Sequence, residues 1–485
     1  MRIETIVVAF ALALPPGAAA QSTLPAAPGP RVIHASGSAE PIGPLAQMQS
    51  PPAPAQASPP APAQTPPAAS ANGPTAQLPE LTLAQAEQLA IRNNPRVTVG
   101  KLLALAQQQV FREARAAELP SLTAAATAED AVEASRISAG SLTSSRLLEH
   151  AGAGVNLNQL IYDFGHTRNL VLSRKLSAQA SNANALATTE EIVLTTDQAF
   201  YNALIAQAEL DVARQTVETR QTTDNQVGQM TRNKLKSTLD LSFADVDLSQ
   251  AQLLVLDARN NADASMAALD AVLGLDRTLT YRLEEDPAAP QPPPADVAPL
   301  IQTALRQRPD LQALSLDTQS AQKLARAQWD QLLPTISAAG TVGTVPIRSG
   351  TYYVANWWGG VGGNVSMPVF NGFLYLSQAR EAKYRAQAAS ENARDLRDSI
   401  VRDVRTSWLQ AGNNWQRMAV TAQLVRQANL ALSLAQTRYK LGLSSIVELS
   451  QAQLQQTSAQ IQDTSARYQY RLSLSTLNYE MGVAP

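Results

Sequence analysis

The 485-residue sequence has no cysteine, three histidines, 5% aromatic residues, and basic and acidic residues (38 and 40) that nearly cancel to a net charge of −2. Without cysteine there is no disulfide, thiolate metal site, iron–sulfur cluster, thiol nucleophile or cysteine-borne lipid anchor. His34, His150 and His166 stand in unrelated stretches with no ligand spacing, so neither a metal nor another cofactor is expected. The lack of a basic excess argues against nucleic acid as a partner. After the first 20 residues, no apolar run approaches the roughly 18 residues of a membrane-spanning helix. The most informative absence concerns proline. Of 30 prolines, 19 lie in residues 1–120, none lies between Pro120 and Pro287, ten lie from Pro287 to Pro368, and none follows until Pro485. Two long stretches are therefore free to be uninterrupted helix.

What is present begins with an address. Arg2 precedes an apolar run of nine residues, Ile6 to Leu14, and Ala18–Ala20 offers a small-residue cleavage site, the pattern of a secretory signal peptide over 1–20. Residues 21–79 carry 15 prolines among alanine, serine and glutamine. Such a segment has too little apolar bulk to repay its ordering entropy, so a disordered, partly polyproline II linker is expected.

From residue 80 the chain repeats itself. Ala90-Ile91-Arg92-Asn93-Asn94-Pro95 is answered by Ala304-Leu305-Arg306-Gln307-Arg308-Pro309, and 25 residues after each proline comes Leu119-Pro120 or Leu333-Pro334. Ile161-Tyr162-Asp163-Phe164-Gly165 is answered by Val369-Phe370-Asn371-Gly372; Gly165 to Gly274 spans 109 positions and Gly372 to Gly482 spans 110. The spacing predicts a tandem duplication, 80–286 and 287–485. Within each copy, short helices precede a β-hairpin (121–161 and 335–367, with outer loops 132–149 and 346–354). Two-residue alternation, as in Trp357, Gly359, Val361, Gly363, Val365 against Trp358, Gly360, Gly362, Asn364, fits membrane-spanning strands of about 9–11 residues. A helical hairpin follows: 166–227 with 238–273, and 373–440 with 445–481, with reversals near Gly228 and Gly442. At about 1.5 Å per residue the longer helices reach roughly 90–100 Å. Helices this long cannot bury their apolar seams in one compact domain, and four strands cannot close a useful barrel, so both parts demand oligomerisation.

The sequence resembles the TolC family of outer-membrane channel proteins over residues 80–485. The resemblance is carried by the duplication, by the strand-to-helix strings at Tyr162–Gly165 and Phe370–Gly372, and by Arg438-Tyr439-Lys440-Leu441-Gly442 followed by Ile446-Val447-Glu448-Leu449. It implies an α+β membrane protein: a homotrimer in which each subunit gives four strands to a twelve-stranded barrel in the outer membrane of a Gram-negative bacterium. A long α-helical coiled-coil barrel then continues through the periplasm. It further implies a passive exit duct, not an enzyme, that works with a periplasmic adaptor and an ABC or proton-driven inner-membrane pump in efflux or type I secretion. In the periplasmic gate of the family, a tyrosine on one helical hairpin bonds an aspartate on the other; these carry over to Tyr439 and Asp240. The arginine position holds Ser444. The two acidic positions of the constriction carry over to Glu448 and Gln451, leaving one acidic ring. Tyr162, Phe164, Trp357, Trp358, Phe370 and Phe373 flank the strands, where a barrel places aromatics against lipid headgroups. The competing expectation is a soluble periplasmic or secreted coiled-coil scaffold without a pore.

Overall fold

The computed structural model describes residues 80–130, 137–139, 142–144, 149–275, 281–285, 289–349 and 352–483. The expected signal peptide and linker, and most of loop 132–149, lie outside the described residues. The first half comprises β1 (Glu80–Leu81), α1 (Leu83–Asn93), α2 (Pro95–Ala116), β2 (Ser121–Asp130), β3 (Ile137–Ala139), β4 (Leu142–Ser144), β5 (Glu149–Tyr162), α3 (His166–Arg232), α4 (Thr238–Leu273) and β6 (Arg282–Leu283). The second comprises α5 (Ala298–Gln307), α6 (Pro309–Asp330), β7 (Thr335–Ser349), β8 (Tyr352–Ser366), α7 (Leu374–Lys440) and α8 (Ile446–Glu480).

The punctuation is local. Thr82 and Gln85 close a capping box on α1. Asn94 accepts from the Arg96 amide at 2.9 Å to start α2, and its amide group donates to the Val272 carbonyl at 3.0 Å, tying α2 to the end of α4. Pro95 and Pro309 occupy first helical positions, where the missing N–H costs nothing. β1 pairs in parallel with β6, joining the start of the described chain to the segment after α4.

α3 and α7 both run 67 residues, about 100 Å at 1.5 Å per residue. Alanine is the commonest residue at their buried positions, as at Ala203, Ala206, Ala213, Ala379, Ala382 and Ala411, which lets neighbouring helices approach closely. Larger apolar groups gather in several clusters. Phe200, Leu269, Leu273 and Tyr468 pack under α1, and Val227, Leu432, Tyr439, Ile446 and Leu449 pack at the far end of the helices. By contrast, Leu239, Phe243, Val246, Leu253 and Leu256 form an exposed stripe along α4.

Two expectations need correction. β7 runs to Ser349 and β8 begins at Tyr352, so most of the expected outer loop 346–354 is strand; paired backbone carries the ladder through Pro346, which faces Ala355. Gly228 is not at a reversal. It lies inside α3, which continues to Arg232, and Lys234 takes the left-handed cap at φ 59°. The amide of Leu235 then bonds the Met230 carbonyl at 2.8 Å, just as Leu443 bonds Arg438 at 2.8 Å beyond Gly442 at φ 75°. Both turns are the same left-handed helix stop, one built on glycine and one on lysine.

Candidate functional site

The four long strands form one antiparallel sheet in the order β2-β5-β7-β8. Register sorts its side chains into two sets. Leu122 faces Leu157, Val155 faces Val342, Gly340 faces Val361 and Ile336 faces Val365, all on one side. Thr123, Asn156, Thr341, Ser337 and Asn364 share the other, where the Thr341 hydroxyl donates to the Asn156 side chain at 2.7 Å. The apolar side is bare: Leu122 is 69% exposed, Val361 89% and Trp357 75%. Trp357 pairs with Thr344 in the far half of the sheet, and Trp358 with Gly343 on the alternate positions. At the near end, where strand becomes helix, Tyr162 meets Phe164 edge-on at 4.8 Å and Phe370 meets Phe373 at 5.6 Å, all four exposed. Ser366 lies nine positions beyond Trp357, about 30 Å of strand, which at a tilt of about 35–45° rises roughly 21–25 Å, close to the apolar band of about 25 Å of an outer-membrane barrel. No described helix is long and apolar enough to cross a membrane.

The other end of the helices holds the expected gate residues. Tyr439 of α7 is buried in a cluster with Val227 of α3, Ala244 of α4 and Ile446 and Leu449 of α8, and its hydroxyl has no partner among the described residues. Asp240 does not bond it. The Asp240 carboxylate instead closes a capping box with Ser237, accepting from its amide and its hydroxyl, both at 3.1 Å. Burial first, then the nearby Asp240 charge, push the Tyr439 phenol up to about 12. The link across the two hairpins comes from Lys236, whose ammonium sits 4.1 Å from the centre of the Tyr439 ring. Ser444 adds a second buried hydroxyl without a partner among the described residues. Glu448 is exposed and pairs with Arg438 at 3.2 Å, and Gln451 is exposed on the same helix.

A buried polar cluster stands further along these helices. Arg220 of α3, 7% exposed, meets Asp247 of α4 at 3.4 Å and also donates to the Gln453 amide oxygen of α8. Gln453 donates to Thr223 at 3.0 Å, and Ser450 donates to Asp247. Burial lowers the Arg220 guanidinium despite the Asp247 charge. Beside it, Asp224 is held above its ordinary range by burial and by Asp245, with which it shares a hydrogen bond. The partners of Arg220 lie 27 and 233 residues away in sequence, so no local motif could have announced them.

Comparisons with known proteins agree with this geometry. The chain matches the family described as "Outer membrane efflux protein" over residues 87–275 and 300–483. It is 24% identical over 345 residues to outer membrane protein TolC of Escherichia coli, covering 68% of this chain and 69% of that one. It is 23% identical over 321 residues to the alkaline protease secretion protein AprF of Pseudomonas aeruginosa, covering 64% and 66%. The solved structure of CusC superposes with a TM-score of 0.74 at 16% identity, over 85% of this chain and 96% of that one, which shows the fold. With both halves of its repeat matched, the chain belongs to the outer membrane efflux protein family, whose members are outer-membrane channels and not enzymes.

Proposed function

We propose that three copies of this chain close a twelve-stranded barrel in the outer membrane and continue it as a helical tube through the periplasm, forming a passive exit duct. The observation that carries this reading is the sheet with one bare apolar face, one polar face and two unpaired edges, β2 and β8. In water such a surface and such edges are unstable. In a closed barrel the edges disappear, the apolar face meets lipid and the polar face lines the pore. The exposed stripe on α4 then becomes an interface between helices. A periplasmic adaptor and an inner-membrane pump, ABC or proton-driven, would feed the duct. The name of AprF supports protein secretion as the cargo class to test first, ahead of drug or metal efflux. Detergent extracts of outer membranes should yield a cross-linkable trimer that conducts in planar bilayers. A soluble, elongated oligomer with no conductance would replace this reading with the coiled-coil scaffold.

The tip of the tube is the gate in this reading. Lys236 on Tyr439 and Arg220 on Asp247 and Gln453 hold the first helical hairpin against the second, and docking of the adaptor would offset that hold by binding the parted state better. Asp240 supports the gate by capping the helix that carries Asp247. Three copies of Glu448 would form one acidic ring, weakened by Arg438. Glu448→Gln should lower cation selectivity modestly; unchanged reversal potentials would remove Glu448 from the pore.

A further inference from the structure

About halfway along α3, beside the end of α8 that lies away from the tip, α1, α3 and α8 line a cavity of about 550 Å³, within the range of small-molecule sites. Its walls combine apolar bulk with an excess of acid. Val193, Leu194, Phe200 and Leu204 of α3 supply the apolar surface. Glu87 of α1, Glu190 and Asp197 of α3, and Glu284 and Glu285 after β6 bring five carboxyls, against one guanidinium, Arg471 of α8.

Asp197 is the unusual member. It is 5% exposed, and its Oδ1 accepts no hydrogen bond from the described residues. Glu87 and the Ser475 hydroxyl bond the same carboxylate. Burial, then the Asp197 charge and the shared hydrogen bond, push Glu87 up to about 7, so the pair retains a proton at near-neutral pH. Burial also raises Asp197, against the bonds from Ser475 and Glu87. A buried carboxylate oxygen without a donor or counter-charge is costly, and a cation seated in the cavity would remove that cost. The acids are too dispersed to chelate: no group of three or more among the described residues could hold a metal ion. A compact hydrated cation would also leave the apolar wall unused, whereas an aromatic or alkyl body would cover it and could place its charge over Phe200.

We propose that this cavity binds an organic cation with an apolar body, the charge seated against Asp197 and Glu87 and the body against Phe200, Leu204 and Val193. The site stands apart from the tip.

The test uses the full-length protein in non-ionic detergent and tetraphenylphosphonium as the probe, with tetraphenylborate, of the same shape and opposite charge, as competitor. Equilibrium dialysis should show saturable binding of one cation per subunit. At about pH 8.5, above the range in which the pair keeps its proton, Asp197→Asn and Glu87→Gln should each weaken it about tenfold or more, the worth of a charge-assisted contact. Tetraphenylborate should not displace the cation. Equal binding to wild type and variants, absence of saturation beyond partition into micelles, or equal competition by tetraphenylborate would each overturn the proposal. Glu87 is only half-buried, so Glu87→Gln keeps the test decisive if Asp197→Asn fails to fold.

Discussion

The two ends of α8 are each held by a buried arginine, and the two arginines are held differently. At the sheet-side end, Arg308 meets Asp310 through two bonds, at 2.7 and 3.1 Å, and also pairs with Glu480. Against burial, these two carboxylates raise the guanidinium well above its ordinary value. At the tip, Arg220 has one carboxylate at 3.4 Å and an amide, and burial wins. Gly482 sharpens the contrast: a Cβ there would come within 2.9 Å of the Arg308 amide nitrogen. One end is locked by paired charge and close backbone approach. The other is closed by a cluster that is only just satisfied. The proposed opening of the duct at its tip would use that asymmetry.

The largest effect should come from Arg308→Ala, which strands Asp310 and Glu480 and should cost about 3 kcal/mol or more in thermal unfolding of the detergent-solubilised protein. A loss no greater than that of Arg220→Ala would dissolve the contrast between the ends. Arg220→Ala should cost about 1–3 kcal/mol and, in bilayer recordings, raise conductance. Arg220→Met should recover part of the stability, because an apolar isostere needs no partners, while leaving the conductance high. If conductance stays at the wild-type value in both variants, Arg220 is packing and not a clasp.

Protonation offers an intermediate test at the end near Arg308, where Asp197 is buried beside the half-buried Glu87. Glu87 beside Asp197 is raised from its ordinary 4.5 to about 7, so the folded chain keeps a proton that the unfolded chain releases. Stability at that end should therefore fall as pH rises from about 4.5 to about 7, and Glu87→Gln should flatten that slope in melting curves. A slope that rises instead would contradict the burial of this pair.

The smallest effects separate the two turns. Lys234→Gly should stabilise by about 0.5–1 kcal/mol and Gly442→Ala should destabilise by about as much, because both positions have positive φ. Same-sign shifts would mean that the turns are not equivalent. Lys236→Gln should remove about 0.5–1 kcal/mol of cation–π attraction, seen as a small rise in open-state dwell time.

How far these features could be read from sequence follows from how local they are. Prolines at helix starts and two-residue alternation in β8 each occupy a few neighbouring residues and were readable. Gly228 misled because glycine is the usual helix stop; lysine at positive φ is uncommon, and nothing near Lys234 advertises it. The expected Tyr439–Asp240 bond failed for a related reason. Asp240 stands three residues after Ser237, and that short-range capping bond occupies its carboxylate. Arg220 could not be found at all, since its role depends on the rotational phase of three helices packed side by side.

The matched length of α3 and α7 has a mechanical corollary. Beyond the level of Arg308, which Glu190 of α3 faces, α3 runs on for about 60 Å to Arg232, so a tilt of about 5° there carries the tip sideways by about 5 Å, close to one helical turn. A displacement of that size would separate Arg220 from Gln453 entirely while leaving angles near Arg308 almost unchanged. The length of the arm would thus turn a strain that the locked end can absorb into a stroke large enough to uncouple the proposed gate.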